Sequence, residues 1–132
     1  MWMTQHPPDH KILIMLTETQ HQQLLDEAKK WKEHLKTYVE HINELKNNFY
    51  KWAAGKSDRD VLIQIERYHN QFHIQQINLH DLKHSIRVHM QECKLIPDAD
   101  HTGKHQQLEE QYDFLINDLD HLKAEFKEFI SG

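Results

Sequence analysis

The chain has 132 residues, 38% of them hydrophobic and 28% charged, with only three Gly and three Pro; that length suits one domain over 1–132, and so few breakers argue against a fold rich in strands and turns. Its formal charge is −5 with the histidines neutral and no basic run stands out, which speaks against nucleic-acid binding. A lone cysteine, Cys93, excludes an internal disulfide and suits a reducing compartment.

Residues 1–10 carry Pro7-Pro8 and read as a loose N-terminal arm. The run Ile12–Leu16 is the longest apolar stretch, far too short to span a membrane, and no basic region precedes it as in a signal peptide. A cytoplasmic protein is expected. The first helix is expected over about 11–54. Asp9 is one candidate cap; Thr17 and Thr19, each with Gln three residues on, offer a capping box further along. With the later start, Ile12–Leu16 would pack on the bundle as an extended segment. Leu24, Ala28, Trp31, Leu35, Tyr38, Ile42, Leu45, Phe49 and Trp52 then alternate in steps of four and three, the seam of a coiled coil. Gly55 supplies the stop.

A second helix is expected over 58–95. Ser57 or Asp58 caps it, Asp60 places negative charge in its first turn, and Pro97 follows its end. Its seam runs through Val61, Ile65, Tyr68, Phe72, Leu79, Leu82, Ile86 and Cys93, interrupted by Gln75 and His89. Gln75, roughly level with Tyr38, is expected to bond to that hydroxyl. After a short polar loop, Asp98 or Asp100 caps a third helix over about 100–130. It carries His105, Leu108, Tyr112, Leu115, Leu119, Leu122, Phe126 and Phe129 at the same spacing. Three long seams and two short loops predict an all-α fold, an antiparallel up-down-up bundle of three long helices with coiled-coil-like heptad packing. In shape this resembles a single spectrin-type unit. Glu18-Thr19-Gln20-His21 and Glu66-Arg67-Tyr68-His69 have the Glu-x-x-His spacing of di-iron bundles, but they fall at distant levels and there is no fourth helix.

The thirteen histidines are the compositional anomaly. Protonating all of them would reverse the sign of the net charge, so surface charge is expected to vary steeply near neutral pH. Two constellations stand out. Counting levels from loops centred near 56 and 98 puts His21, His89 and His105 in one end layer, with Cys93 one seam step away. Imidazole and thiolate are good ligands for zinc or another divalent metal ion such as iron. With an open position, hydrolytic chemistry would follow. The second constellation is a face of the middle helix. His69 and His73, and His80 and His84, are i, i+4 pairs on one side of the wheel, where a pair can chelate a divalent ion.

The middle helix also carries Ile63, Ile74, Ile77 and Val88 away from its seam. Three readings compete: the segment Ile12–Leu16 covers them, they are scattered surface apolar residues, or a second chain pairs there and makes a homodimer. The histidine face would then border the interface, and protonation would repel the two chains. No glycine-rich phosphate loop, Cys-x-x-Cys or Ser-His-Asp spacing occurs. The sequence therefore points first to a non-enzymatic helical bundle acting through protein–protein contact, and second to a histidine-rich metal-binding bundle.

Overall fold

The computed structural model describes the backbone of residues 10–131 and the side chains of residues 18–131. Three helices account for nearly all of it: α1 (His10–Ala53), α2 (Arg59–Leu95) and α3 (Thr102–Ser131). Thr17 and Thr19 lie inside α1 and not at its start. Asp9, the loose arm and the packing of Ile12–Leu16 fall outside the described residues.

Each boundary has a local cause. Gly55 takes φ of 81°, a left-handed conformation that costs a residue without Cβ little. Asp58, extended at φ −64° and ψ 128°, accepts the amide protons of Asp60 at 2.9 Å and Val61 at 3.2 Å through one carboxylate oxygen. Those N–H groups otherwise have no partner in the first turn. Asp58→Ala is expected to destabilise the fold by about 1 kcal/mol, read as a lower urea midpoint with an unchanged slope. The α2–α3 loop is tied by His101, whose Nε2 donates to the Ile96 carbonyl at 2.7 Å. Of the two expected caps for α3, Asp100 acts: it accepts the Thr102 amide at 3.0 Å and the Thr102 hydroxyl at 2.5 Å. Those bonds hold its carboxyl below the usual range.

Polar cross-links give the topology. Lys46 donates to Gln76, and the Tyr50 hydroxyl meets His69. Gln75 donates to Asp118, and Tyr68 to the Glu125 carbonyl. As numbering rises on one partner it falls on the other, so α1 and α2, and α2 and α3, are antiparallel. Between α1 and α3 it rises on both: His105 meets Glu27, Tyr38 meets Asp120 and Trp52 meets Phe129. The chain runs up, down and up.

The seams supply the core. Ala28, Trp31, Leu35, Ile42 and Phe49 of α1 meet Tyr68, Phe72, Leu79, Leu82 and Ile86 of α2 and Leu108, Leu115, Leu119, Leu122 and Phe126 of α3. Near the α1–α2 loop the filling is aromatic. The Phe49, Phe72 and Phe126 rings lie 5.1–5.7 Å apart, two of the three pairs edge to face, and Tyr68 joins them 5.5 Å from Phe126.

One polar expectation does not hold. Gln75 does not pair with Tyr38. Its amide donates to Asp118 at 2.5 Å and accepts from Asn78 at 3.3 Å, because its side chain faces α3. Tyr38 instead donates to Asp120 at 2.7 Å. His34, on the exposed flank of the α1 seam, meets the Tyr112 hydroxyl of α3.

Candidate functional site

Near the end of the bundle formed by the α2–α3 loop, the apolar core gives way to a polar layer. His89 on α2 is 1% exposed and His105 on α3 is 5% exposed. Both occupy seam positions, so helical periodicity aims them inward. Neither is left without a partner. His89 Nε2 and His105 Nδ1 are 3.0 Å apart, and His105 Nε2 is 2.7 Å from Glu27 Oε2 on α1. Trp31 of α1 stacks on the His105 ring at 4.5 Å and 29°. One helix thus supplies the carboxylate and the stacking plane, and the other two supply the imidazoles.

The proton inventory follows from the donors. The bond from His105 holds the Glu27 carboxyl below the usual range, so it stays ionised at neutral pH and accepts the His105 Nε2 proton. In neutral His105, Nδ1 is then an acceptor and takes the Nε2–H of His89. The Cys93 sulfur lies 3.9 Å from both ring nitrogens of His89. Burial pushes the His89 imidazole down to about 4, helped by the charge of a protonated His105 and opposed by Glu92. Burial likewise raises the Cys93 thiol, with Glu92 adding to it. At neutral pH, therefore, Glu27 is charged, His89 is neutral and Cys93 is a protonated thiol, the unreactive form. Among the described side chains no buried polar atom lacks a hydrogen-bond partner.

Of the predicted metal set His21, His89, His105 and Cys93, the fold brings together His89, His105 and Cys93. His21 lies elsewhere, half-buried, in a cleft with Gln20, Leu24 and the loop residues Pro97–Thr102. The residues midway between Lys46 and Gln76, and between Tyr50 and His69, fall near 60, not at the loop centre near 56. This puts His21 level with Ala99 and Trp31 level with His89. Interlocking of the Phe49, Phe72 and Phe126 rings sets the register, and the length of the loop does not. For His89 and His105 to ligate one ion through the nitrogens that face each other, the bond between them would have to open, while the bond from His105 to Glu27 would stay as outer support. Among the described residues no group of three or more His, Cys, Asp or Glu stands in an arrangement that would hold a metal ion.

The second predicted face is exposed. His69, His73, His80 and His84 all lie on the surface of α2. His69 turns toward α1, where its Nδ1 is 2.9 Å from the Tyr50 hydroxyl. The four rings form a band on the α1 side of the outward surface of α2.

Beside this band, toward α3, runs the isoleucine set. Ile63 is 53%, Ile74 49% and Ile77 47% exposed, and Val88 is half-buried. All four fall within about 60° on the helical wheel. Next to them a groove of about 560 Å³ opens between α2 and α3. Asp81, Glu110 and Asp118 give it an acidic lining, and Phe114 forms part of its wall. Phe114 is 73% exposed, so apolar surface continues across the groove onto α3. The isoleucines are legible in the sequence. Phe114 falls outside the α3 seam, one residue before Leu115, so the same periodicity places it on the surface. Glu27, a half-exposed carboxylate beside the seam residue Ala28, carries no such signal.

No helix among the described residues is long and apolar enough to cross a membrane. No family model matches the chain, and no curated protein or solved structure is significantly similar to it.

Proposed function

We propose that this chain is a non-enzymatic helical module that works by protein–protein contact, and that its contact surface is the outward face of α2. The observation that carries this reading is the row of half-exposed isoleucines, Ile63, Ile74 and Ile77, extended by Phe114 on α3. Single exposed apolar residues are ordinary on protein surfaces, but apolar residues gathered on one helix face and bordered by a further exposed aromatic mark an interaction surface. The rim here consists of the histidine band on one side and the acidic groove on the other. The buried chemistry supports the same reading. Glu27, His105 and His89 satisfy one another, and the thiol beside them is protonated, so that layer acts to lock three helices in register.

The partner is a second copy of the chain. Sedimentation equilibrium at neutral pH is expected to give twice the 16.0 kDa of one chain. Ile74→Glu/Ile77→Glu, which places charge at two exposed positions and leaves the core untouched, is expected to give the mass of one chain with unchanged helicity. A mass of one chain for the unaltered protein at every concentration up to the millimolar range would refute the dimer.

A further inference from the structure

We propose that two copies pair through α2 in antiparallel fashion, about a two-fold axis that passes between the two α2 helices at the level of Gln75 and Gln76, so that Ile74 of one copy meets Ile77 of the other and Ile63 meets Val88. This rests on the contact reading above and adds to it the geometry of the complex.

The spacing of the exposed apolar set carries the inference. Positions 63, 74, 77 and 88 are separated by eleven, three and eleven residues. The set is its own mirror image along the helix. An isologous interface requires that property, because the same patch must complement itself after a half-turn. Each eleven-residue step is three helical turns at 3.67 residues per turn, close to the natural period of a straight helix. The stripe therefore stays on one side over its length, about 38 Å at 1.5 Å per residue, and two such stripes can lie against each other with little supercoiling.

The polar residues of the same band obey the same symmetry. Arg59, at the start of α2, falls opposite Glu92, so each dimer gains two pairs of opposite charge. Asp81 falls opposite the uncharged Asn70. Glu66 falls opposite Ser85. No two acidic residues of the band oppose each other, and all of these side chains except half-buried Ser85 are exposed in the single chain. A parallel pairing has none of this: it sets Asp81 against Asp81 and Arg59 against Arg59. The face also lies away from the core seam of α2. Docking there therefore needs no rearrangement of the bundle, and Phe114 stands at the margin where the second copy would cover it.

Disulfide trapping tests the register. Ile63→Cys and Val88→Cys chains, mixed, equilibrated and oxidised with glutathione disulfide, are expected to form the mixed cross-link, position 63 of one chain to position 88 of the other, at least tenfold in excess over either self cross-link. Position 63 of one copy lies about 38 Å from position 63 of the other in this arrangement, so it has no route to itself. Buried Cys93 does not compete. In the charge-reversal test, R59E alone is expected to weaken the dimer about tenfold, since two weak attractive pairs become repulsive, and R59E/E92R is expected to restore it. Self cross-linking of Ile63→Cys would overturn the antiparallel arrangement. A dimeric mass without the mixed cross-link would overturn the register and leave the contact reading standing. A monomeric mass throughout would overturn both.

Discussion

Phe126→Ala is expected to cost about 3–5 kcal/mol. The Phe126 ring is fully buried and is in contact with rings from both other helices, Phe49 of α1 and Phe72 and Tyr68 of α2. Truncation removes the burial of the ring and opens a cavity at the one layer where three large side chains interlock. Stiff neighbours close such a void poorly. The same rings fix the level of α1 against α2, so the loss extends to the register of the bundle. Urea unfolding followed by circular dichroism reads the change. The control is Phe114→Ala on the same helix, expected to alter stability by less than about 0.5 kcal/mol because its ring is exposed. Equal losses at the two positions would contradict the packing described.

The second large effect is a dependence of stability on pH carried by His89. In the unfolded chain an imidazole titrates near 6.5; burial brings the folded-state value down to about 4. Between those values the unfolded chain binds the proton and the folded chain does not. Stability is therefore complete above about 6.5 and is lost as pH falls toward 4. At about 1.4 kcal/mol per pH unit, the loss attributable to this group is on the order of 3 kcal/mol. The groups facing His89 are Glu92 and Cys93 on its own helix, and His101, Lys104 and His105 around the start of α3. Glu27, reached through His105, acts in the same direction at lower pH. Its folded-state value lies below that of a free carboxyl, so the stability it adds is present above about 4.5 and fades as pH falls through the depressed value. His89→Gln keeps an amide donor for His105 and abolishes the titration. The difference between unaltered and His89→Gln unfolding free energies is expected to be flat above pH 7 and to shrink or reverse from pH 6.5 to 4. Parallel curves across that range would show that His89 does not carry the dependence.

The three helices were legible because a seam of large apolar residues at steps of three and four has one physical solution, and Gly55, Asp58 and Pro97 punctuate it. Inward placement of His89, His105 and Gln75 was legible for the same reason: periodicity says which way a side chain faces whatever its chemistry. What a polar residue meets there was not. Gln75 bonds to Asp118 and not to Tyr38, since its choice depends on which of two neighbouring helices it leans toward. The level of His21 differs from the expected one because counting from a loop assumes that both helices leave it at equal height. The height is set by the rings of Phe49, Phe72 and Phe126, whose fit no spacing encodes. Glu27 was invisible for a third reason. A half-exposed carboxylate on a helix surface looks like every other solvated acid until its partner is known.

The odd number of helices has a mechanical consequence. With the chain running up, down and up, residue 10 and residue 131 stand at opposite ends of a bundle whose middle helix alone is about 55 Å long. Tension applied along the chain at those two points would pull α1 and α3 in opposite senses along their shared axis. The contacts of Glu27 with His105, Tyr38 with Asp120 and Trp52 with Phe129 would then be loaded together, as in shear. A four-helix version would bring both ends to one side, where the same force would peel contacts apart singly.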